Sequence, residues 1–122
     1  MSTQQGWIGV DLDGTLAVYD GWKGADHIGD PVPAMVDRVK AWLAAGLEVR
    51  VFTARVWAPA DGMSVRKDEV MYVRTAIERW CRRHIGVALP VTCEKDYSMI
   101  ELWDDRAVQI IPNTGQRADG AA

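Results

Sequence analysis

The sequence has few cysteines and no long apolar run, and both deficits exclude classes of protein. Only two of its 122 residues are cysteine, which is too few for the disulfide framework of a small secreted domain. No segment approaches the roughly 18 consecutive apolar residues that a membrane-spanning helix needs. Met1–Gln5 lacks the basic and apolar regions of a signal peptide. We therefore expect a cytoplasmic protein with reduced thiols and no association with a membrane.

An excess of positive charge is also lacking. The chain has 14 Lys+Arg against 17 Asp+Glu, a formal net charge of −3. Indiscriminate nucleic-acid binding generally depends on a basic surface, so a nucleic-acid partner is possible but not favoured. Hydrophobic residues make up 48% of the chain and charged residues 25%, which is typical of a soluble globular domain. The composition predicts one folded domain with a real core.

Apolar patterning along the chain predicts alternating strands and helices. The predicted strands lie at 6–10, 47–52, 87–92, 99–103 and, as an edge strand, 108–111. Apolar residues at helical spacing predict two helices, from Pro33 to about Gly46 and from Val65 to His84. This order is typical of an α/β domain with a mostly parallel sheet. We expect the domain to span residues 1–112, with a flexible tail over 113–122.

Polar residues stand where four of these strands end. They are Asp11, Asp13, Thr53, Lys95, Asp104 and Asp105. The carboxyl ends of parallel strands meet at one edge of the sheet, where ligands bind in open α/β folds. Several carboxylates gathered there would repel one another unless a cation lay between them. Oxygen ligands suit Mg²⁺, so the pattern predicts a magnesium site that leaves positions open for water and a phosphate.

The same residues form four motifs that resemble those of the haloacid dehalogenase-like (HAD) phosphohydrolases. Residues 11–16, Asp-Leu-Asp-Gly-Thr-Leu, are similar to the first motif, and Thr53 within Val-Phe-Thr-Ala-Arg is similar to the second. Lys95 fits the third motif and the pair at 104–105 fits the acidic fourth. The resemblance extends from Ile8 to Asp105 and implies a three-layer Rossmann-like domain. The intervals between the motifs are too short for the inserted cap domain of many family members.

The resemblance implies a Mg²⁺-dependent phosphatase that hydrolyses a phosphate monoester through an aspartyl-phosphate. Asp11 would be the nucleophile, because a carboxylate needs no deprotonation at neutral pH. Asp13 would protonate the leaving alcohol and then deprotonate the attacking water. Thr53 would hydrogen-bond a phosphoryl oxygen, and Lys95 would neutralise charge on the phosphate and on the nucleophile.

The resemblance also implies the metal ligands. Asp11 and the backbone carbonyl of Asp13 would bind the Mg²⁺ ion. Of the acidic pair, we assign the direct contact to Asp105, because the second aspartate is usually the ligand in this form of the motif. Asp104 would then orient the ligands through hydrogen bonds.

A long loop after the first motif, from Tyr19 to Asp30, is expected to recognise the substrate, because long loops tend to carry function. Its candidate substrate-binding residues are Trp22, Lys23 and His27, with an ordinary packed loop as the alternative. Arg55 is a further candidate, with an ion pair to an acid as the alternative. Selectivity would come from this loop, from the loop at 56–64, from a second subunit of a homo-oligomer, or from a large substrate that covers the site.

Two other functions fit the same residue types. Receiver domains of response regulators use Asp, Thr, Lys and an acidic pair around Mg²⁺, but there the acidic pair follows the first strand. A nucleic-acid end-processing phosphatase would need phosphate-backbone contacts, for which the arginines of 66–83 offer a patch diluted by acids. We therefore expect a small phosphorylated metabolite, nucleotide or sugar as the substrate.

Overall fold

A computed structural model describes residues 6–59 and 64–121 of the chain. Its elements are β1 (Trp7–Asp11), α1 (Pro33–Ala44), β2 (Glu48–Phe52), α2 (Ser64–His84), β3 (Val91–Thr92) and β4 (Met99–Trp103). The four strands form one sheet in the order β3-β2-β1-β4, and every neighbouring pair is parallel. The predicted α/β class with a Rossmann-like parallel sheet is confirmed.

One face of the sheet carries the main core. The register places Ile8 opposite Val49 and Val10 opposite Val51, and alternate residues of a strand share a face. Apolar residues of both helices join these four side chains in a single buried cluster: Val36, Val39, Val70, Val73, Ile77 and Trp80. Burial of this apolar stripe stabilises the sheet and fixes its register.

The opposite face is covered in a different way, by the connection between β3 and β4. Trp7 alternates with Ile8 and is fully buried. Its indole Nε1 donates a 2.8 Å hydrogen bond to Asp96 of that connection. The guanidinium carbon of Arg50 lies 4.4 Å from the centroid of the same ring. The connection therefore crosses to the amino-terminal end of β1 before β4 begins.

Two predicted strands differ from the structure. Pairing of β3 is confined to Val91 and Thr92, because Pro90 has no amide to donate to a ladder. The prediction of an edge strand over 108–111 is wrong, since this segment folds back on itself. Ile111 N donates to Gln116 O at 2.8 Å, which places part of the predicted tail in a local hairpin.

Parts of two sequence predictions lie outside the described residues. These are the polar start at 1–5 and residues 60–63 of the loop predicted over 56–64. Within the described ranges, neither helix combines the length and apolar character needed to cross a membrane. Both cysteines are free thiols, and burial raises the pKa of Cys81 to about 11, so this thiol is unreactive at neutral pH.

Candidate active site

Three carboxylates meet where the strand order reverses. The chain passes from β1 to β2 on one side and later returns to β4 on the other side of β1. Asp11 is the last residue of β1, and Asp104 and Asp105 directly follow β4. One oxygen of each carboxylate lies within 4.8 Å of the others. The fold therefore brings three predicted metal-binding side chains together at the switch point, where open α/β sheets bind ligands.

The surroundings of Asp11 concentrate negative charge. Burial, a hydrogen bond with Asp105 and the charges of Asp104 and Asp105 raise the pKa of Asp11 from 3.8 to about 7. A divalent cation among the three groups would relieve this repulsion and favour the ionised form. Carboxylate oxygens are also the donors that Mg²⁺ prefers, so the donor set fits the metal that the sequence predicts.

The turn after β1 allows Asp105 to approach. Gly14 has a φ of +88°, and a Cβ at this position would lie 2.5 Å from Oδ2 of Asp105. Glycine alone combines this backbone conformation with the required space. The turn is closed by Leu16 N, which donates to Asp11 O at 3.1 Å. The Thr15 hydroxyl donates to Oδ2 of Asp11 at 3.4 Å, so the turn also holds the carboxylate itself.

Asp13 lies apart from this cluster, in a two-point ion pair with Arg55. The Nε and Nη2 atoms of Arg55 lie 2.7 and 2.8 Å from the two carboxylate oxygens. The side chains of Arg55 and Asp13 are 6% and 22% exposed. Arg55 thus forms the ion pair with an acid that the sequence allowed, and its contact with a substrate phosphate stays a prediction. The Asp13 carboxylate is thus held by a cation, and the contact of its backbone carbonyl with a metal stays a prediction.

Thr53 links the end of β2 to Arg55. The Thr53 side chain is buried, and its Oγ1 accepts a 3.2 Å hydrogen bond from Arg55 N. Its own amide donates to Thr92 O at 2.8 Å. Thr53 therefore begins the 3₁₀ turn Ala54–Val56 and fixes the position from which Arg55 reaches Asp13.

These groups open onto one cavity of about 480 Å³, a size typical of small-molecule sites. The predicted site residues that line it are Asp11, Asp13, Trp22, Thr53, Arg55, Asp104 and Asp105. A second cavity of about 720 Å³ lies between the loop at 26–30 and α2. The second is larger but contains no predicted site residue, so we place the site in the smaller one.

Three predicted residues are not among those lining the site cavity: Lys23, His27 and Lys95. All three are exposed. Lys23 Nζ lies 3.0 Å from Oδ1 of Asp20. Lys95 immediately precedes Asp96, whose carboxylate binds Trp7 at the opposite end of β1 from Asp11. Their roles in catalysis or recognition stay predictions.

Two charged residues that the sequence did not single out also line the cavity, Glu69 of α2 and Arg106. Arg106 follows the acidic pair directly, and its amide donates to Oδ1 of Asp104 at 2.7 Å. Its closeness to a motif could have drawn attention to it. Glu69 had no such signal, because an acid on an exposed helix face is ordinary.

No family model matches this sequence, and no curated protein matches it. Among solved structures, the chain is similar to one described as a conserved protein from Bacteroides thetaiotaomicron. The two are 19% identical with a TM-score of 0.54, and the match covers 89% of this chain and 83% of that chain. Similarity at this identity shows a shared fold.

Proposed function

We propose that the protein is a Mg²⁺-dependent phosphatase that hydrolyses a phosphate monoester through an aspartyl-phosphate on Asp11. The observation that carries the proposal is the meeting of Asp11, Asp104 and Asp105 within 4.8 Å at the switch point of the sheet. The Asp13–Arg55 pair in the same cavity adds a fourth carboxylate, which lies in different surroundings. The sequence resemblance to HAD phosphohydrolases supports the same chemistry.

Asp11 is suited to nucleophilic attack because it ends a buried central strand and is further held by Thr15. In the first step a carboxylate oxygen of Asp11 forms a bond to phosphorus, and the bond from phosphorus to the alcohol oxygen breaks. A bound Mg²⁺, held by Asp11, Asp105 and the Asp13 carbonyl, would supply positive charge between the carboxylate and the phosphate. Asp104 would orient these ligands.

Asp13 would transfer the protons. Both of its oxygens accept N–H bonds from Arg55, so in this arrangement Asp13 is a base that takes a proton from the water that hydrolyses the aspartyl-phosphate. To give a proton to the departing alkoxide in the first step, Asp13 must first release Arg55 to the entering phosphate and take up a proton from solvent. The two-point contact with Arg55 holds the Asp13 carboxylate in one orientation. The Thr53 hydroxyl would donate to a phosphoryl oxygen. Arg106, which lines the cavity, and Lys95 would add positive charge.

The proposal includes a phosphorylated small molecule as substrate and a cytoplasmic location. It also leaves room for a second subunit of the same chain that covers the cavity. No cap domain is present among the described residues, and the loop at 19–30 contributes Tyr19, Trp22 and Ala25 to the lining of the cavity.

The proposal is tested by hydrolysis of p-nitrophenyl phosphate with Mg²⁺ and with a chelator. We expect turnover that requires the metal and falls by roughly a thousandfold or more in Asp11→Asn, because the nucleophile is removed. Asp68→Asn is the matched control, since it changes the same chemical group on an exposed part of α2 outside the cavity, and it should keep full activity.

Undiminished turnover by purified Asp11→Asn protein would refute the proposal. Mass spectrometry of the protein after treatment with acetyl phosphate separates the competing signalling function. A phosphorylated Asp11 that accumulates without turnover would favour a receiver-type module, whereas a phosphatase should release phosphate repeatedly.

A further inference from the structure

The entrance of the site cavity carries an exposed tryptophan. Trp22 is 60% exposed and lines the cavity together with Tyr19 and Phe52. A single exposed aromatic side chain is unremarkable on a protein surface. Here, however, aromatic rings line the same cavity as the acidic cluster and the Asp13–Arg55 pair. A substrate bound in this cavity would therefore contact these rings.

One face of the Trp22 ring is occupied. The guanidinium carbon of Arg55 lies 4.9 Å from the ring centroid, which is the geometry of a cation–π contact. The same guanidinium holds Asp13 at 2.7 and 2.8 Å. A cation–π contact and an ion pair therefore connect Trp22 through Arg55 to Asp13, the residue proposed to transfer protons.

Hydrogen bonds anchor the loop that carries Trp22 on both sides of this residue. The base of the loop is closed by Val18 N, which donates to Asp30 O at 2.8 Å. The indole of Trp80 in α2 donates to Gly29 O at 3.0 Å, and Arg55 Nη1 donates to Ala25 O at 3.3 Å. These anchors at the ends of the loop and the contact of the ring with Arg55 limit the conformations of Trp22, which reduces the entropy lost when a partner stacks on it.

A planar aromatic group is the chemistry that such a ring recognises. Stacking needs a flat, rigid partner, and it tolerates different bases because each has a π face. Besides the aromatic residues, the cavity is lined by the apolar side chains of Ala25, Ala54 and Val73. A flat nucleobase covers the face of an aromatic ring more fully than the puckered ring of a sugar does, so the aromatic part of this wall favours a base.

We propose that Trp22 is the base-stacking residue of this site and that the substrate is a nucleoside phosphate, either a free mononucleotide or the phosphorylated end of a nucleic-acid strand. This inference rests on the proposed phosphatase function. The phosphate lies at Asp11, and the base stacks on the face of the Trp22 ring that Arg55 does not occupy. Trp22 thereby determines specificity without taking part in the chemistry.

The test is a ratio of kcat/KM values for a nucleoside 5′-monophosphate and for ribose 5-phosphate, which lacks only the base. In Trp22→Ala we expect this ratio to fall about tenfold to hundredfold, the usual consequence of losing one stacked base. Trp22→Phe should restore most of the ratio, because it restores a ring. Trp57→Ala is the matched control, since Trp57 is 57% exposed and is not among the cavity residues, and its ratio should equal that of the wild type.

Equal losses of activity on both substrates in Trp22→Ala would overturn the inference, because Trp22 would then only support Arg55. A ratio that does not change would overturn it as well. If the wild type hydrolyses no phosphate ester, the phosphatase function fails by itself. Calorimetric titration of the nucleoside monophosphate into Asp11→Asn and Asp11→Asn/Trp22→Ala proteins still decides the inference, which requires at least tenfold weaker binding by the second.

Phosphorylated oligonucleotides distinguish the two sources of the base. The wild type and Trp22→Ala are compared on single strands with a 5′ or a 3′ phosphate and on the free mononucleotide. The substrate class is identified by two results together: the highest kcat/KM with the wild type, and a fall of that kcat/KM in Trp22→Ala. The absence of any Trp22 dependence across the three substrates contradicts the inference.

Discussion

Asp11 and Asp13 are two residues apart, yet they lie in opposite electrostatic surroundings. Asp11 faces two further carboxylates, and its pKa is raised to about 7. Asp13 is held at two points by Arg55. No lysine or arginine forms an ion pair with Asp11 in the part of the chain that the structure describes. Different surroundings for two neighbouring carboxylates commonly separate their roles in catalysis. Here a bound cation would keep Asp11 ionised as the nucleophile, and the contact with Arg55 holds Asp13 as a carboxylate that can accept a proton from water.

Removal of Arg55 should have the largest effect, because it takes away the cation that distinguishes the surroundings of Asp13 from those of Asp11. We expect Arg55→Ala to lower kcat/KM for p-nitrophenyl phosphate by on the order of a hundredfold, because Asp13 loses its fixed orientation. Arg55→Lys should rescue little, since an ammonium cannot reproduce the two-point contact. Steady-state kinetics measure both variants, and Arg82→Ala, a change on the exposed surface of α2 away from the cavity, is the control. Full activity in Arg55→Lys would show that charge alone suffices.

A comparison of Asp104 with Asp105 tests which of the two carboxylates near Asp11 binds the metal directly. One oxygen of Asp104 already accepts the Arg106 amide at 2.7 Å, whereas Asp105 contacts Asp11. We therefore expect Asp105→Asn to raise the Mg²⁺ concentration needed for half-maximal activity about tenfold more than Asp104→Asn does. Activity titrated against Mg²⁺ measures this difference. The reverse order would assign the direct metal contact to Asp104.

Replacement of Lys95 tests whether a lysine contributes positive charge near Asp11 during catalysis. The residue is exposed and precedes the Asp96 contact with Trp7, so water screens its charge from Asp11. We expect Lys95→Ala to lower kcat/KM by about threefold to tenfold, with Lys40→Ala as an exposed control on α1. A loss above a hundredfold would mean that substrate binding brings Lys95 into the cavity, as the motif resemblance implies. An unchanged rate would remove Lys95 from the site.

These comparisons also show what the sequence could predict. The grouping of Asp11, Asp104 and Asp105 was predictable, because each follows or ends a strand and the carboxyl ends of parallel strands meet at one edge of the sheet. Apolar spacing likewise gave both helices. The Asp13–Arg55 pair joins side chains 42 positions apart, and no spacing rule specifies which acid an arginine contacts. Lys95 was placed at a strand end, but β3 has only two residues, so the connection after it departs from the cavity edge.

The last predicted effect concerns stability, and its sign differs between the two aspartates. The pKa of Asp11 is about 7 in the folded chain, against an ordinary 3.8, so the folded state binds this proton more tightly than the unfolded state. The free energy of unfolding of the metal-free protein should therefore fall as the pH rises from about 4 to about 7. Because Asp11 is only partly buried and its charge is screened, we expect Asp11→Asn to gain roughly 1–2 kcal/mol at pH 8.

Asp13→Asn should act in the opposite direction, with a loss of roughly 2 kcal/mol at the same pH, because it weakens the ion pair of the nearly buried Arg55. Urea denaturation in chelator at pH 5 and pH 8 measures both variants. At pH 5 Asp11 is largely protonated, so the gain from Asp11→Asn should shrink while the loss from Asp13→Asn persists. Equal signs at pH 8 would show that the two carboxylates do not differ in the way their contacts indicate.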